Sequence, residues 1–236
     1  MSHKEQLRKQ RINTVINGIS SKQEKLLVTA VENVCQRLLA HFPGLKIFWE
    51  KEKKLCDAIV ELQRVFPDIQ FANVLPTSSM KPDGGILYVS SVDGRQSFPI
   101  LITEKKNQGT NDKRKSEGLK RQAKGNAIER LGKNVIGFRT WMLSEHVFPF
   151  VCFGDGCDFE EGSSILDRVV TIAMFGELNK ENVMSEGPNY EFNRGSFYFR
   201  EEPWTEKEME DISFSVAVKA VHYYFAKFGE EKFLAR

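Results

Sequence analysis

Apolar residues recur at helical spacing in three segments of this chain. Residues 27–38 carry one at every third or fourth position, directly after a capping-box pattern at residues 21–24. We therefore predict an amphipathic helix that begins at this box and ends near residues 42–44. The same spacing in residues 55–66 predicts a second helix, and a second capping box at residues 205–208 opens a third. We interpret the apolar stripes of the first two helices as core rather than as interface.

Short apolar runs predict the strands. Residues 85–89 and 98–104 are two such runs, and the Asp-Gly pair between them is typical of a β-hairpin. Residues 148–153 are apolar and stop at a Gly-Asp-Gly sequence, which predicts a buried strand. A further short strand is predicted at residues 197–200.

Two more segments have helical character. Residues 117–145 are predicted to be helical with a break or bend near Gly132 and Gly137, and residues 164–175 are predicted to form another helix. Helices thus alternate with strands and flank a hairpin. This order predicts an α/β fold in which a mixed central β-sheet carries helices on both faces.

The composition bounds the class of protein. With 236 residues, 41% of them hydrophobic, the chain can form one well-packed domain or two small ones. We favour one domain over residues 1–236, with a core at about 70–180 and a polar arm at about 1–20, because no flexible linker or repeat divides the sequence. The polar N-terminus is unlike a secretory signal, and no apolar run approaches the ~18 residues of a membrane span, so we expect a cytoplasmic protein. The four cysteines lack zinc-ligand spacing and are predicted to be buried free thiols.

A net charge of +2 hides one strongly basic segment. Residues 105–139 contain eleven Lys or Arg against three acidic residues, so this segment carries +8 and the rest of the chain −6. Such a run is usually a solvated face. Here it follows a candidate catalytic strand, which favours a phosphate-facing surface with Lys113 and Lys115 as candidate DNA-backbone contacts.

Two carboxylates and a lysine lie where a hairpin can bring them together. Alternate side chains of a strand share a face, so Glu104 and Lys106 point one way and Lys105 the other. Asp83 starts the preceding strand and lies beside the end of the next one in an antiparallel hairpin. Asp83 and Glu104 can then bind Mg²⁺, while Lys106 orients or deprotonates the attacking water. The alternative is a surface turn beside charged residues at a strand end.

A second group of residues suits base recognition. Asn126 and Arg130 are four residues apart and share one face of a helix. Asn can bind adenine N6 and N7 together, and Arg reads base-edge acceptors. Gly125 permits close approach of the backbone, and a helix that starts there directs N–H groups at a phosphate. An ordinary helix start with a Glu129–Arg130 surface pair is the alternative.

Four blocks in order, residues 78–86, 104–109, 125–130 and 142–151, resemble the EcoRI-like type II restriction endonucleases of the PD-(D/E)xK nuclease superfamily. The resemblance is looser at the N-terminal helices and fades after about residue 180. It implies a restriction-endonuclease-like core with DNA-embracing arms. It also implies Mg²⁺-dependent bacterial homodimers that cut palindromic double-stranded DNA, leave 5′ overhangs and act beside a cognate adenine-N6 methyltransferase.

The resemblance also assigns roles to individual residues. The catalytic residues are Asp83, Glu104 and Lys106, of which Asp83 and Glu104 bind the metal. The residues that correspond to base recognition are Gly125, Asn126, Ala127 and Arg130, with Ile165 and Arg168 as secondary candidates. Glu129 and Ala123 correspond to recognition support, and the matched DNA-backbone contacts are Lys81, Lys133 and Asn134.

The sequence also departs from the family pattern. Gln122-Ala123-Lys124 stands where the family has a methionine and two alanines, and Thr171 stands near the place of a second arginine. The stretch between Glu104 and Asn126 is shorter, which predicts trimmed arms. We expect an AATT-like centre in the recognition site, with an outer base pair that differs or is read loosely. A non-catalytic DNA-binding protein and a related repair nuclease are the alternatives.

Overall fold

The computed structural model describes residues 15–107, 109–119, 126–184 and 193–235. The main helices and strands of these residues follow one another in this order: α1 (Val15–His41), β1 (Lys46–Glu50), β2 (Lys53–Lys54), α2 (Leu55–Val65), β3 (Ser79–Met80), β4 (Gly85–Ser90), β5 (Ser97–Asn107), α3 (Gly109–Ser116), α4 (Asn126–Trp141), β6 (Phe150–Asp155), α5 (Ser164–Ile172), β7 (Ser196–Arg200) and α6 (Glu206–Phe228). Short 3₁₀ helices at Cys157–Phe159 and Glu230–Lys232 complete them.

The five-stranded sheet has the order β1-β4-β5-β6-β7. Its β1, β4 and β5 strands are antiparallel, whereas β6 and β7 run parallel to β5 and to each other. The hairpin of β4 and β5 has a bulge on β5, because Leu87 pairs with Leu101 and Tyr88 with Pro99, which leaves Ile100 as the extra residue. Proline has no N–H to donate to a ladder, so a bulge tolerates it. The predicted hairpin and the predicted mixed sheet are both confirmed.

Helices cover both faces of this sheet. Ile100, Leu101 and Ile102 are successive residues of β5 and are all buried, as in a strand that is packed on both sides. Helices α1 and α6 pack against each other, and α6 packs on β5. Helix α4 contacts β5 as well, and its Asn134 reaches Glu104, whereas Gln23 of α1 reaches Asp155 beside Lys105. Glu104 and Lys105, which are neighbours on β5, therefore face different helices.

Most predicted elements are present, with shifted ends. The helix predicted at residues 55–66 and the strands at residues 148–153 and 197–200 are confirmed. The capping box at residues 205–208 opens α6, because Thr205 and Glu208 exchange both bonds of the motif.

Two helix predictions were wrong in detail. The first helix extends back to Val15, so the box at residues 21–24 lies inside it. A capping pattern is a local preference, and continued helical hydrogen bonding through the preceding residues overrides it. Helix α4 runs without a break through Gly132 and Gly137. A Cβ at Gly137 would lie 2.5 Å from Met80 Sδ, so this glycine serves close packing.

Two further observations concern the class of protein. All four cysteines are free, as predicted, although Cys35 and Cys56 are only half-buried. Among the described helices, none combines the length and the hydropathy that a membrane crossing requires.

Candidate active site

The turn before β4 fixes the backbone of Asp83. The N–H of Gly84 donates to the carbonyl of Thr103 at 2.9 Å, which joins the turn to β5. Gly85 has a φ of +76°, and a Cβ there would lie 2.0 Å from Trp49 Nε1. The same indole nitrogen donates to the carbonyl of Gly84 at 3.1 Å. Only glycine fits this positive φ beside the indole ring, so the Gly-Gly pair holds Asp83 against β5.

Asp83, Glu104 and Lys106 meet at this point. The backbone N–H of Asp83 donates to Glu104 Oε2 at 3.1 Å, and the N–H of Lys105 donates to Asp83 Oδ2 at 3.1 Å. Lys106 Nζ lies 3.4 Å from Asp83 Oδ2 and forms an ion pair with Glu104 Oε1. The sequence prediction that these three side chains converge is thus met by the geometry.

Burial sets the electrostatics of the three groups. Glu104 is 1% exposed, whereas the side chain of Asp83 is 29% exposed. Burial raises the pKa of Glu104, and the Lys106 ammonium opposes this effect. Burial alone would lower the pKa of Lys106, but the carboxylates of Glu104 and Asp83 raise it. The site therefore holds a partly desolvated cation between two carboxylates, with an opening on the Asp83 side.

Lys105 lies on the other face of β5, as strand parity predicts. Its Nζ is 2.9 Å from Asp155 Oδ2, with side chains that are 3% and 2% exposed. The same carboxylate oxygen accepts the backbone N–H of Trp204 at 3.2 Å. Burial lowers the pKa of Lys105, and Asp155 counteracts this. The sequence did not predict this buried ion pair, because Asp155 lies on β6 and is brought beside Lys105 by the parallel pairing of β5 and β6.

Asn134 is a second contact that the sequence did not predict. Its Nδ2 donates to Glu104 Oε1 at 3.2 Å, although the family resemblance gave Asn134 only a DNA-backbone role. The sequence does show that Asn134 follows Asn126 and Arg130 at four-residue spacing on the predicted helix. Nothing in the sequence indicates that Glu104 lies next to this helix.

The recognition candidates belong to the start of α4. This helix spans Asn126–Trp141 and is shorter than the helical segment predicted at residues 117–145, because residues 117–119 and 142–145 are not helical. It carries Arg130 and Lys133 as exposed side chains. The side chains of Asn126, Ala127 and Glu129 are outside the described parts of this helix. Gly125 and Ala123 lie outside the described residues altogether.

The remaining candidates are spread over neighbouring elements. Ile165 is 9% exposed and packs in the core, whereas Arg168 on the same helix is exposed. Lys81 is exposed two residues before Asp83. Lys115 is exposed on α3 and forms an ion pair with Glu201. Lys113 is also a residue of α3, but its side chain is not among the described parts of the chain.

The site offers carboxylate ligands for a divalent metal. In the described parts of the chain there is no group of three or more His, Cys, Asp or Glu side chains able to hold a metal. Asp83 and Glu104 offer two carboxylates, and water and phosphate oxygens would complete the shell of a bound cation. Hard oxygen donors with a small protein share suit a divalent cation.

Comparison with known proteins agrees with this geometry. The model of the restriction endonuclease EcoRI family matches residues 9–230. The type II restriction enzyme RsrI of Cereibacter sphaeroides is 28% identical over an alignment of 238 positions that covers 86% of this chain and 85% of that enzyme. The type II restriction enzyme EcoRI of Escherichia coli is 28% identical over an alignment of 244 positions that covers 87% of each chain. This chain therefore belongs to the EcoRI family of type II restriction endonucleases, which are site-specific deoxyribonucleases that generally use divalent metal ions.

Proposed function

We propose that this enzyme is a Mg²⁺-dependent homodimer that cleaves both strands of a short palindromic DNA site and leaves 5′ overhangs. The observation that carries the proposal is the meeting of Asp83, Glu104 and Lys106 at one opening of the sheet. A two-fold symmetric dimer matches a two-fold symmetric site and gives each strand its own active centre.

In this proposal Asp83 and Glu104 hold the metal. Bound Mg²⁺ supplies polarisation of the phosphodiester and acidifies the attacking water. Lys106 faces both carboxylates and orients the water, while its charge offsets the negative charge that builds on the phosphate. Glu104 adds a carboxylate oxygen that positions the same water. The buried Glu104 and the more exposed Asp83 support a site that opens toward the DNA on one side only.

Base recognition is assigned to the start of α4. Asn126 binds adenine N6 and N7, Arg130 binds a base-edge acceptor, and Gly125 and Ala127 allow close approach of the backbone. This block supports an AATT-like centre. Glu129 orients the arginine across the dimer.

Recognition of the outer base pair is assigned to other residues. Ala123 is assigned to recognition support for this pair, and its neighbours Gln122 and Lys124 depart from the family pattern. Arg168 is the secondary reader. Ile165 is buried beside it and supports the helix that carries it.

In this proposal the basic residues Lys81, Lys113, Lys115 and Lys133 contact the DNA backbone. Lys115 exchanges Glu201 for a phosphate when DNA binds. Exposed lysines of this kind neutralise phosphates without reading sequence.

A cognate adenine-N6 methyltransferase completes the system in the bacterial cytoplasm. N6-methylation removes one hydrogen-bond donor and adds bulk at the atom that Asn126 binds. The contacts that select the site would then also protect the host DNA.

Digestion of a plasmid of known sequence tests the proposal. With Mg²⁺, end sequencing of the fragments should give one palindromic site with 5′ extensions and an AATT-like centre. The Asp83→Ala variant should lose cleavage and retain specific binding. Cleavage that survives this substitution, or that needs no divalent cation, would overturn the assigned active centre.

A further inference from the structure

The recognition helix contacts the buried catalytic carboxylate directly. Asn134 Nδ2 donates to Glu104 Oε1 at 3.2 Å, and Lys106 pairs with the same oxygen. The other oxygen, Oε2, accepts the backbone N–H of Asp83 at 3.1 Å. The carboxylate plane of Glu104 is therefore fixed by three donors from three segments of the chain. Asn134 is the contributor that lies on α4.

Buried side chains hold helix α4 on the sheet. Ile128, Leu131 and Val135 are buried and pack the helix onto the sheet. Arg130 and Asn134 are four residues apart on this helix and share one face. Asn134 lies about 12 Å along the axis from Asn126 and about 6 Å from Arg130, or about two turns and one turn from the two proposed base readers.

We propose that Asn134 is a positioning residue that ties the orientation of Glu104 to the placement of α4 on the DNA. The inference rests on the proposed function of Glu104 and Arg130, and it gives Asn134 a role other than phosphate binding. A correctly seated helix holds the Asn134 amide on Oε1. A helix displaced by a wrong base pair shifts that amide and turns the carboxylate, since hydrogen-bonding partners of a metal-binding side chain orient it.

The test uses full-length variants of one helix. Asn134→Ala removes the amide, and Asn134→Leu removes it with the volume nearly retained. Asn134→Gln restores a donor on a longer side chain. Thr140→Ala changes an exposed residue of the same helix and serves as the control.

Three quantities are measured on each variant. The first is the single-turnover cleavage rate with Mg²⁺ on a duplex carrying the site found by plasmid digestion. The second is the DNA affinity in metal-free buffer and its dependence on salt. The third is the ratio of cleavage rates between that site and a duplex with one substituted central base pair.

Asn134→Ala and Asn134→Leu are expected to cleave about 10- to 100-fold more slowly, the usual range for losing such an outer hydrogen bond. Their DNA affinity and its salt dependence should stay unchanged, the ratio between the two duplexes should fall, and Asn134→Gln should recover part of the rate. Thr140→Ala should match the parent enzyme.

A phosphate contact gives the opposite pattern and overturns the inference. Binding would then weaken, the salt dependence would lose about one phosphate contact, and the single-turnover rate would stay at the parent value. A parent-like ratio between the two duplexes in both Ala and Leu variants would also overturn it. Glu104→Ala distinguishes a failure of this inference from a failure of the proposed function, because cleavage that survives this change refutes the proposed active centre itself.

Discussion

The buried ion pair behind the active site gives the sharpest test of the packing. Asp155→Asn keeps the size of the side chain and an oxygen that can accept the N–H of Trp204, but it removes the charge opposite Lys105. At 2.9 Å the pair attracts by about 6 kcal/mol with an effective dielectric constant of ~20. Desolvation of the two ions offsets most of this attraction. Loss of one partner still leaves the other ion buried, which costs about 3–5 kcal/mol.

Urea unfolding followed by circular dichroism measures this cost. We expect Asp155→Asn to lower the free energy of unfolding by about 3–5 kcal/mol, and Lys105→Met combined with Asp155→Asn to lose much less, because no charge remains unpaired. Glu201→Gln is the matched control, since the Lys115–Glu201 pair is about half-exposed and should be worth at most about 1 kcal/mol. An Asp155→Asn variant within 1 kcal/mol of the parent, or a double variant no more stable than the single one, would refute the reasoning.

Three further predictions concern a helix cap, a glycine in the turn before β4 and the discrimination between DNA bases. Arg200 and the capping box at the start of α6 lower the pKa of Glu208 to about 2, so Glu208→Gln should cost roughly 1 kcal/mol at pH 7, and the difference should vanish in urea melts as pH falls from about 4.5 to about 2. Gly85→Ala should destabilise the protein by at least about 2 kcal/mol and slow cleavage, because its φ is +76° and the new Cβ would overlap Trp49; a parent-like melting temperature would contradict this. Arg130→Ala should cost about 1–3 kcal/mol of discrimination between the digested site and its single-base-pair variants, and equal loss on all duplexes would assign Arg130 to the backbone.

The sequence predicted the catalytic hairpin well because its signals are local. A turn of two glycines, an Asp-Gly pair between two apolar runs and strand parity were enough to set Glu104 and Lys106 on one face and Lys105 on the other. These patterns depend on residues within about twenty positions of one another.

The long-range contacts were not predictable in this way. The partner of Lys105 is 50 positions away, and the partner of Glu104 on α4 is 30 positions away. The sequence predicted a helix break at Gly137. This glycine is instead required by its close approach to Met80, which lies on a strand more than fifty residues earlier, and no nearby residue indicates that approach. Each of these depends on how a helix or parallel strand crosses the sheet, which composition and periodicity do not specify.

The change of pairing along β5 has a consequence for how the site is assembled. Its first part pairs with β4 across a short loop, and its last part pairs with β6 after two helices have intervened. Closing a short loop costs less chain entropy than closing a long one, so local pairs are the faster ones to form. The backbone of Asp83 and the carboxylate of Glu104, 21 positions apart, are thus joined by a nearby contact, and Asn134 and Asp155 arrive from distant segments. We expect the two acids to come together early in folding. The contacts of Asn134 with Glu104 and of Asp155 with Lys105 should form only when the parallel half of the sheet closes.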